Sequence, residues 1–454
     1  MKMHFILSAV SAVSLLWAQE VLTLEKALMH LKEKNLFFNE AVADKHIYQG
    51  KQKYAIGEFD TLLSTTYEDK DYPYSTGSFL DTTLEKPMEN GMEFMLGFRK
   101  AEGIQEYNNI KTGEEGELLA GVKIPIFSVL NNTSDRKANL KSAIFDAQKH
   151  SFKSDNKLRQ LHFSVASHYH KLLYKKTLLS LEKELLTAAQ QREGFIKKKV
   201  EIGSLPRIAL LEAKQQIINR QQRFITAQNI FENHLTSFLR YLNIAQDTFE
   251  KKYTLPSMHT IQKKPLTIHQ AFTQAQKNRP DLKVFDYELK KFNIHQQNTK
   301  LLKYPNLNLS LYGVHDFKYD NGFKVSLGMS FPIERRKYEG KYKELDERVK
   351  YVKNGRKKRL LTIKTELINI INSLNNLATN IKNSQEEVQL VEKLEESENK
   401  KYTAGLSNLF MVNQREVYTL NIKKKLLKYR LQHLLLEQKA SNEMGISHLS
   451  LKKK

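Results

Sequence analysis

Lys199-Val-Glu-Ile-Gly203-Ser-Leu-Pro206-Arg-Ile-Ala209-Leu-Leu-Glu212-Ala213 and Lys401-Tyr402-Thr-Ala-Gly405-Leu-Ser-Asn408-Leu-Phe-Met411-Val-Asn-Gln414-Arg415 describe the same event twice. In each, a long, charged, helix-like stretch reaches a single glycine and restarts. The two passages lie roughly two hundred residues apart, and about forty residues with few breakers follow each, which is the spacing of a duplicated architectural unit. Each glycine is the turn of a helical hairpin.

Working outward, the segments leading into the turns, about 133–202 and 336–404, are nearly free of helix breakers. Leu158, Val165, Leu172, Leu179 and Leu186 recur at seven-residue steps, as do Leu210, Ile217, Phe224, Phe231 and Phe238 in the returning segment. Such series are seams for antiparallel helix packing. A seventy-residue helix is on the order of 100 Å long at 1.5 Å per residue, far more than a globular domain needs.

Before each long helix the pattern changes to alternation. Residues 58 to 130 carry Phe59, Leu63, Tyr67, Tyr72 and Tyr74, then Gly91 to Phe98, then Glu117 to Phe127. The second half answers with Asn306 to Tyr312, an expected hairpin turn at Asp320-Asn321-Gly322, and Phe323 to Ile333. Asn-Gly tolerates the positive φ that tight hairpins require. Both halves close a strand on Gly, three residues, Pro and Ile, from Gly121 to Ile126 and from Gly328 to Ile333. Leu307, Leu309 and Leu311 share one face, and Asn306, Asn308 and Ser310 the other, which suits either a soluble sandwich or a lipid-facing barrel wall with a wet lumen. Tyr304, Tyr312, Phe317, Tyr319, Phe323 and Phe331 are expected near the strand ends, as aromatic belts are at membrane interfaces.

The halves also begin alike, with Leu22-Thr23-Leu24-Glu25-Lys26-Ala27-Leu28 and Leu266-Thr267-Ile268-His269-Gln270-Ala271-Phe272. Thr23 and Thr267 are expected helix N-caps, and the pattern reads as helix from Leu22 to about Ile56. The expected layout is a signal peptide over 1–18 and a first repeat over 19–245, with strands at about 58–127 and a hairpin at about 133–244. A linker over 246–264 follows, then a second repeat over 265–446, with strands at about 304–333 and a hairpin at about 336–444, and a basic tail over 447–454. The signal peptide is read from Met1-Lys2-Met3-His4, an apolar run from Phe5 to Trp17, and Ala18, with the mature chain starting near Gln19.

Composition narrows the classes. The 454 residues hold 18 Gly, 9 Pro, one Trp and no Cys, which excludes disulfides, thiolate metal sites and a Cys nucleophile. The formal net charge is +23, but its lysines are dispersed among glutamates along helices, where solvation is the ordinary role of both signs. No later run of about twenty apolar residues provides a membrane helix. His168 and His170 stand two apart and point away from each other on a helix, and neither they nor His162 have a third ligand at metal spacing. No phosphate loop, nucleophile elbow or His-Glu-x-x-His is present. No enzymatic activity, cofactor or metal is implied.

The doubled Leu-Thr-Leu start, Asn278-Arg279-Pro280-Asp281-Leu282, Tyr304-Pro305-Asn306-Leu307, both Gly-Pro-Ile strands and both glycine turns, in this order, resemble the TolC-type outer-membrane efflux and secretion channels. The resemblance covers nearly the whole mature chain. It implies a mainly α fold with a membrane β-barrel part, formed by a homotrimer. Each protomer would give four strands to one twelve-stranded barrel and two helical hairpins to a periplasmic tunnel. It also implies a periplasmic adaptor, an inner-membrane pump of RND, ABC or MFS type and outer-membrane lipid as partners, and no nucleic acid.

Within that resemblance, the family's aperture lies at the glycine turns. Its latching tyrosine falls on Tyr402, the aspartate partner on Ala209, the arginine on Ser407, and the acidic rings on Met411 and Gln414. This chain departs at four of the five positions. A closed aperture would then rest on Leu406, Leu409, Phe410 and Met411, without a ring of carboxylates. Gly203, Ser204, Leu205 and Pro206, with Gly405, Leu406, Ser407 and Asn408, are the expected adaptor-docking turns. Two rival classes are a polyanion-binding coiled-coil protein, supported by Arg356-Lys357-Lys358-Arg359 and Lys423-Lys424-Lys425, and a secreted fibre or adhesin. The first needs no amphipathic strands, and heat-modifiable trimers in outer membranes would exclude the second.

Overall fold

The computed structural model describes residues 19–32, 35–73, 75–103, 112–258 and 266–446. The expected signal peptide, the basic tail and the end of the expected linker lie outside them. In chain order the elements are β1 (Glu20–Val21), α1 (Leu24–Met29), α2 (Leu36–Ile56), β2 (Leu62–Tyr72), β3 (Ser75–Pro87), β4 (Glu93–Gly103), β5 (Glu117–Pro125), α3 (Ile126–Leu130), α4 (Asp135–Glu201) and α5 (Arg207–Leu242). There follow α6 (Gln246–Lys252), β6 (Tyr253–Thr254), α7 (Ile268–Asn278), α8 (Pro280–Thr299), β7 (Asn306–Asp316), β8 (Asp320–Ser330), α9 (Arg336–Thr403) and α10 (Leu409–Glu443). α4 and α9, of 67 and 68 residues, are the helices that enter the glycine turns.

The chain divides into two compact units. One comprises Ala41–Lys157 and Arg279–Ile363, and the other the described parts of Met1–Glu40, Leu158–Asn278 and Lys364–Lys454. The first holds a six-stranded antiparallel sheet in the order β2-β3-β4-β5-β7-β8. Six strands replace the expected four. The first half supplies two hairpins, β2–β3 and β4–β5, where the second supplies one, because the turn near Tyr72, the Asn90-Gly91 turn and the break between Gly103 and Glu117 divide 58–127 into four strands.

Residues paired across a ladder share a face, so the register sorts the side chains. One row runs Leu63, Leu84, Leu96, Ala120, Gly313, Phe323, and its neighbours include Phe94, Val122, Leu311 and Val325. The opposite face carries the row Thr66, Asp81, Arg99, Glu117, Asp316, Asp320. Arg99 bridges Asp81 at 3.7 Å and Glu117 at 3.6 Å, and Lys123 meets Glu93 at 3.0 Å. The apolar face is left open: Phe323 is 84% exposed, Met329 72% and Leu63 65%.

Two sequence expectations fail in this sheet. The β7–β8 turn is Phe317 to Tyr319, not Asp320-Asn321-Gly322, whose residues pair with Asp316, His315 and Val314. Asp316 draws the turn earlier: its Oδ1 accepts from the backbone N–H of Lys318 at 2.9 Å and of Tyr319 at 3.0 Å. Tyr312 is not at a strand end but inside β7 on the charged face, opposite Gly121. A Cβ at position 121 would stand 2.1 Å from the Tyr312 ring, so the glycine makes room for the aromatic side chain.

The second unit packs around Leu22, Leu28, Val165, Tyr169, Leu172, Phe238 and Leu239. Thr23 caps α1, accepting from the Lys26 N–H at 3.3 Å. The helix expected from Leu22 to Ile56 is broken ahead of Asn35, whose Oδ1 accepts from the N–H groups of Phe37 and Phe38 while its amide donates to the Tyr241 carbonyl at 2.8 Å. The segment expected as a linker carries α6 and β6, and β6 pairs in parallel with β1. Phe249, Leu255 and Met258 bury into the same core, a demand that the Lys and Pro residues around them concealed.

Candidate functional site at the two glycine turns

Both helices that reach a turn stop in the same way. Gly203 and Gly405 have φ of +75° and +79°, a conformation that costs glycine nothing and other residues about 1 kcal/mol or more. Around Gly203, the N–H of Ser204 donates to the Lys199 carbonyl at 2.8 Å and that of Gly203 to Val200 at 3.1 Å. Around Gly405, Leu406 donates to Lys401 at 2.9 Å and Gly405 to Tyr402 at 3.0 Å. Both are Schellman closures, which satisfy carbonyls that the helix end leaves unpaired. The restarts differ: Pro206 precedes α5 with no side-chain cap bond, whereas the Asn408 Oδ1 accepts from the Met411 N–H at 3.0 Å.

The turns sit on a small apolar cluster. Ile196, Ala213 and Leu409 are its buried members, and Val200, Leu205, Ala209, Leu210 and Tyr402 pack against it. Tyr402 and Ala209, drawn from different hairpins, therefore meet in one cluster. Burial raises the Tyr402 phenol above its ordinary pKa against the opposing pull of Arg192, so the hydroxyl stays protonated at neutral pH. Ser407 lies elsewhere and donates its hydroxyl to Glu398. Met411 and Gln414 are on the exposed side of α10, outside the cluster. Leu406 and Phe410 are exposed as well, at 80% and 63%, and Leu409 alone of the expected apolar closure is buried.

Sequence reasoning missed the charges nearby. Glu416 of α10, 3% exposed, accepts from Arg192 of α4 and from Arg220 of α5, which is 4% exposed; Asn413 accepts from Arg192 at 3.3 Å. Burial alone would raise the Glu416 carboxyl, but the hydrogen bonds and charges of the two guanidiniums prevail and hold it below its ordinary value. Glutamates on these helices were expected to be solvated. The sequence signal was available in the spacing, since Val412, Glu416, Thr419 and Leu420 fall on one helical face, and that face is buried.

Among the described residues no group of histidine and acidic side chains is placed to hold a metal, and no helix is long and apolar enough to cross a membrane. His168 packs its ring on Tyr241 at 5.0 Å, and the His170 ring lies 3.4 Å from the Gln438 amide.

An antiparallel sheet with one open apolar face and one charged face, joined to helical hairpins turned at paired glycines, defines the class. The chain has the fold of TolC-type outer-membrane channels. Among solved structures it is similar to the outer membrane protein VceC from Vibrio cholerae, at 14% identity over 93% of this chain and 96% of that one, with a TM-score of 0.68. It is likewise similar to the CmeC outer membrane channel of Campylobacter jejuni, at 11% identity over 98% and 94%, with a TM-score of 0.68. The open-state MtrE outer membrane channel of Neisseria gonorrhoeae gives 13% identity over 93% and 89%, with a TM-score of 0.66. No family model matches the sequence, and no curated protein matches it.

Proposed function

We propose that this chain is the outer-membrane exit duct of a tripartite efflux or type I secretion system. Copies of it, three in number, would conduct substrates passively from an inner-membrane pump and a periplasmic adaptor to the exterior. The observation that carries this reading is the two-faced sheet. Leu63, Leu96, Phe323, Val325, Leu327 and Met329 are exposed together on one face, while Asp81, Arg99 and Glu117 pair on the other. Burying such an apolar face in lipid is favourable by about 25 cal/mol per Å², and a charged face opposite it suits water.

In this reading the helical part lies in the periplasm. The turns Gly203-Ser204-Leu205-Pro206 and Gly405-Leu406-Ser407-Asn408 are docking positions for the adaptor's hairpin. Tyr402, Ala209, Ser407, Met411 and Gln414 mark the aperture. Any energy source lies in the partner pump, because the chain carries no phosphate-binding loop.

The test is fractionation with conductance. The protein is expected in the outer membrane as a trimer that resists detergent until heated, and the purified trimer is expected to open ion-conducting pores in planar bilayers. Recovery as a soluble monomer, or trimers that never conduct, would overturn the proposal.

A further inference from the structure

A pocket of about 400 Å³ lies between the start of α4 and the end of α8, lined by residues that follow β5 and precede β7. β5 ends at Pro125 and β7 begins at Asn306, so these residues come just after Ile124 and just before Leu307, which belong to the open apolar face of the sheet. Every connection between the sheet and the helices leaves from this end, while the β2–β3, β4–β5 and β7–β8 turns lie at the other. In the channel reading, this end is the periplasmic rim of the membrane wall.

The pocket is basic. Lys137, Lys141 and Lys300 line it, and none of the described residues lining it is acidic. Lys137 and Lys141 stand four apart on α4, hence on one face, where like charges repel; Lys300 joins them from the end of α8. Lys137 is partly engaged: its Nζ donates to the Asn132 backbone carbonyl at 3.1 Å and to the Asn132 Oδ1 at 2.8 Å, and lies 4.0 Å from the Glu89 carboxylate. Lys141 and Lys300 are exposed, and neither has a side-chain partner among the described residues. Two ammoniums without a counter-ion, beside a third, favour an anion.

Its loop is fixed in advance. The N–H of Asn131 donates to the Phe127 carbonyl at 3.2 Å, that of Asn132 to Val129 at 3.0 Å and that of Thr133 to Ser128 at 3.0 Å. Asn132 holds a φ of +47°, a conformation that asparagine tolerates better than most residues. A loop so held loses little freedom when a ligand binds. Two features tie the pocket to lipid rather than to a free anion. The Tyr304 ring, which also lines it, stacks on Phe127 with centroids 5.0 Å apart, and amphipathic rings of this kind sit at the level of lipid headgroups. Leu130, directly before Asn131, is 74% exposed, an apolar surface that an acyl chain would cover and a free phosphate would not.

We propose that this pocket binds the phosphate of an anionic phospholipid from the periplasmic leaflet of the outer membrane, with Lys137, Lys141 and Lys300 as its counter-ions and Leu130 against its acyl chains. The proposal rests on the reading of the chain as an outer-membrane channel. It also sets a preference among lipids. A zwitterionic headgroup brings an ammonium of its own, which three lysines and no carboxylate would repel, whereas a glycerol headgroup brings only hydroxyls, which Thr133 and Gln297 at the pocket wall can meet.

The test titrates the full chain, purified from membranes in a non-ionic detergent, with phosphatidylglycerol, phosphatidylethanolamine or inorganic phosphate, and counts bound molecules by native mass spectrometry. Phosphatidylglycerol should bind saturably and in preference to phosphatidylethanolamine. Lys141→Gln with Lys300→Gln should weaken that binding by about five-fold for each ammonium lost, roughly thirty-fold together. Lys353→Gln with Lys357→Gln removes the same charge from α9, about 25 Å or more along the helix from its start, and should leave binding unchanged. Equal retention of the two lipids, binding untouched by the first double variant, or binding lost equally in the second overturns the site. Displacement of phosphatidylglycerol by inorganic phosphate at a similar concentration overturns the lipid as its source. Each of these outcomes leaves the channel reading standing, whereas recovery of the chain only as a soluble protein without lipid overturns both.

Discussion

The Glu416 carboxylate is buried against the Arg220 guanidinium, which ties α10 to α5, and Arg192 adds α4 to the same contact. The attraction within such a cluster roughly offsets the cost of drying its charges, so its net contribution to stability is small while its partners are intact. Removing one partner is different. Glu416→Ala should destabilise the protein by about 3–5 kcal/mol, because two cations would remain without their counter-ion. Thermal unfolding in detergent measures this, and simultaneous replacement of Arg192, Arg220 and Glu416 by apolar residues should recover most of the loss. Because the Glu416 pKa is depressed, its contribution is complete above the ordinary glutamate range and disappears as pH falls below it.

Asp281 should give a second acid-labile contribution, in the other unit. Burial would raise its carboxyl, but hydrogen bonds and charge from Arg279 and Arg359 bring it down to about 2. The folded-state pKa lies below the unfolded value of about 4, so the stabilisation is full above that value and is lost as pH falls towards 2. Asp281→Asn should lower stability at pH 7 and flatten the pH dependence in that window. A pH–stability curve unchanged by the substitution would contradict the assignment.

Three glycines should respond differently to alanine. At Gly203 and Gly405 a Cβ meets nothing within 4 Å, so only the positive φ opposes it, and each substitution should cost about 1 kcal/mol, less with asparagine. At Gly121 the Cβ would lie 2.1 Å from the Tyr312 ring and 2.5 Å from the Leu311 carbonyl. Gly121→Ala should therefore reduce the yield of assembled protein much more. Tyr312→Ser should restore it only in part, because the backbone contact remains.

How much of this was legible in the sequence depends on where the information lies. Heptad leucines and breaker-free length announce α4 and α9, and a lone glycine after a long breaker-free run announces each turn, because these signals are local. The alternation of Leu307, Leu309 and Leu311 likewise fixed one face of β7. Strand number was not legible: between Tyr72 and Ser75 the break is too short to register against a background of alternating residues. Nor was the hairpin turn at Phe317 to Tyr319, where the Asp316 side chain, held also by the Gly113 N–H at 2.8 Å, outweighs the Asn-Gly dipeptide that follows. The Arg192–Glu416–Arg220 cluster joins residues more than 190 positions apart, and only tertiary packing brings them together.

If the adaptor docks at the turn tips, a bulky residue should block it without disturbing the fold. Ser204→Trp is the cleaner probe, because Ser204 is exposed whereas Ser407 also donates to Glu398. Export should fall while trimer yield stays the same. Undiminished export with Ser204→Trp, at normal trimer levels, would move docking away from the tips.

The aperture reading yields the most distinctive expectation. Where the family resemblance sets carboxylate rings, this chain has Met411 and Gln414, and the residues exposed beside the turn are Leu406, Phe410 and Met411. A ring of carboxylates draws cations into a narrow pore, whereas an apolar constriction excludes all ions alike by shedding water. In the proposed trimer each position recurs three times, so small changes are multiplied. The natural channel should therefore show weak preference between cations and anions, read as a small reversal potential in a planar bilayer under a salt gradient. Met411→Asp should shift that potential strongly towards cation selectivity. Leu406→Ser with Phe410→Ser should raise conductance instead, with little change in selectivity, because wetting the constriction removes a barrier common to both ions. A natural channel already as cation-selective as Met411→Asp would place the selectivity at other residues.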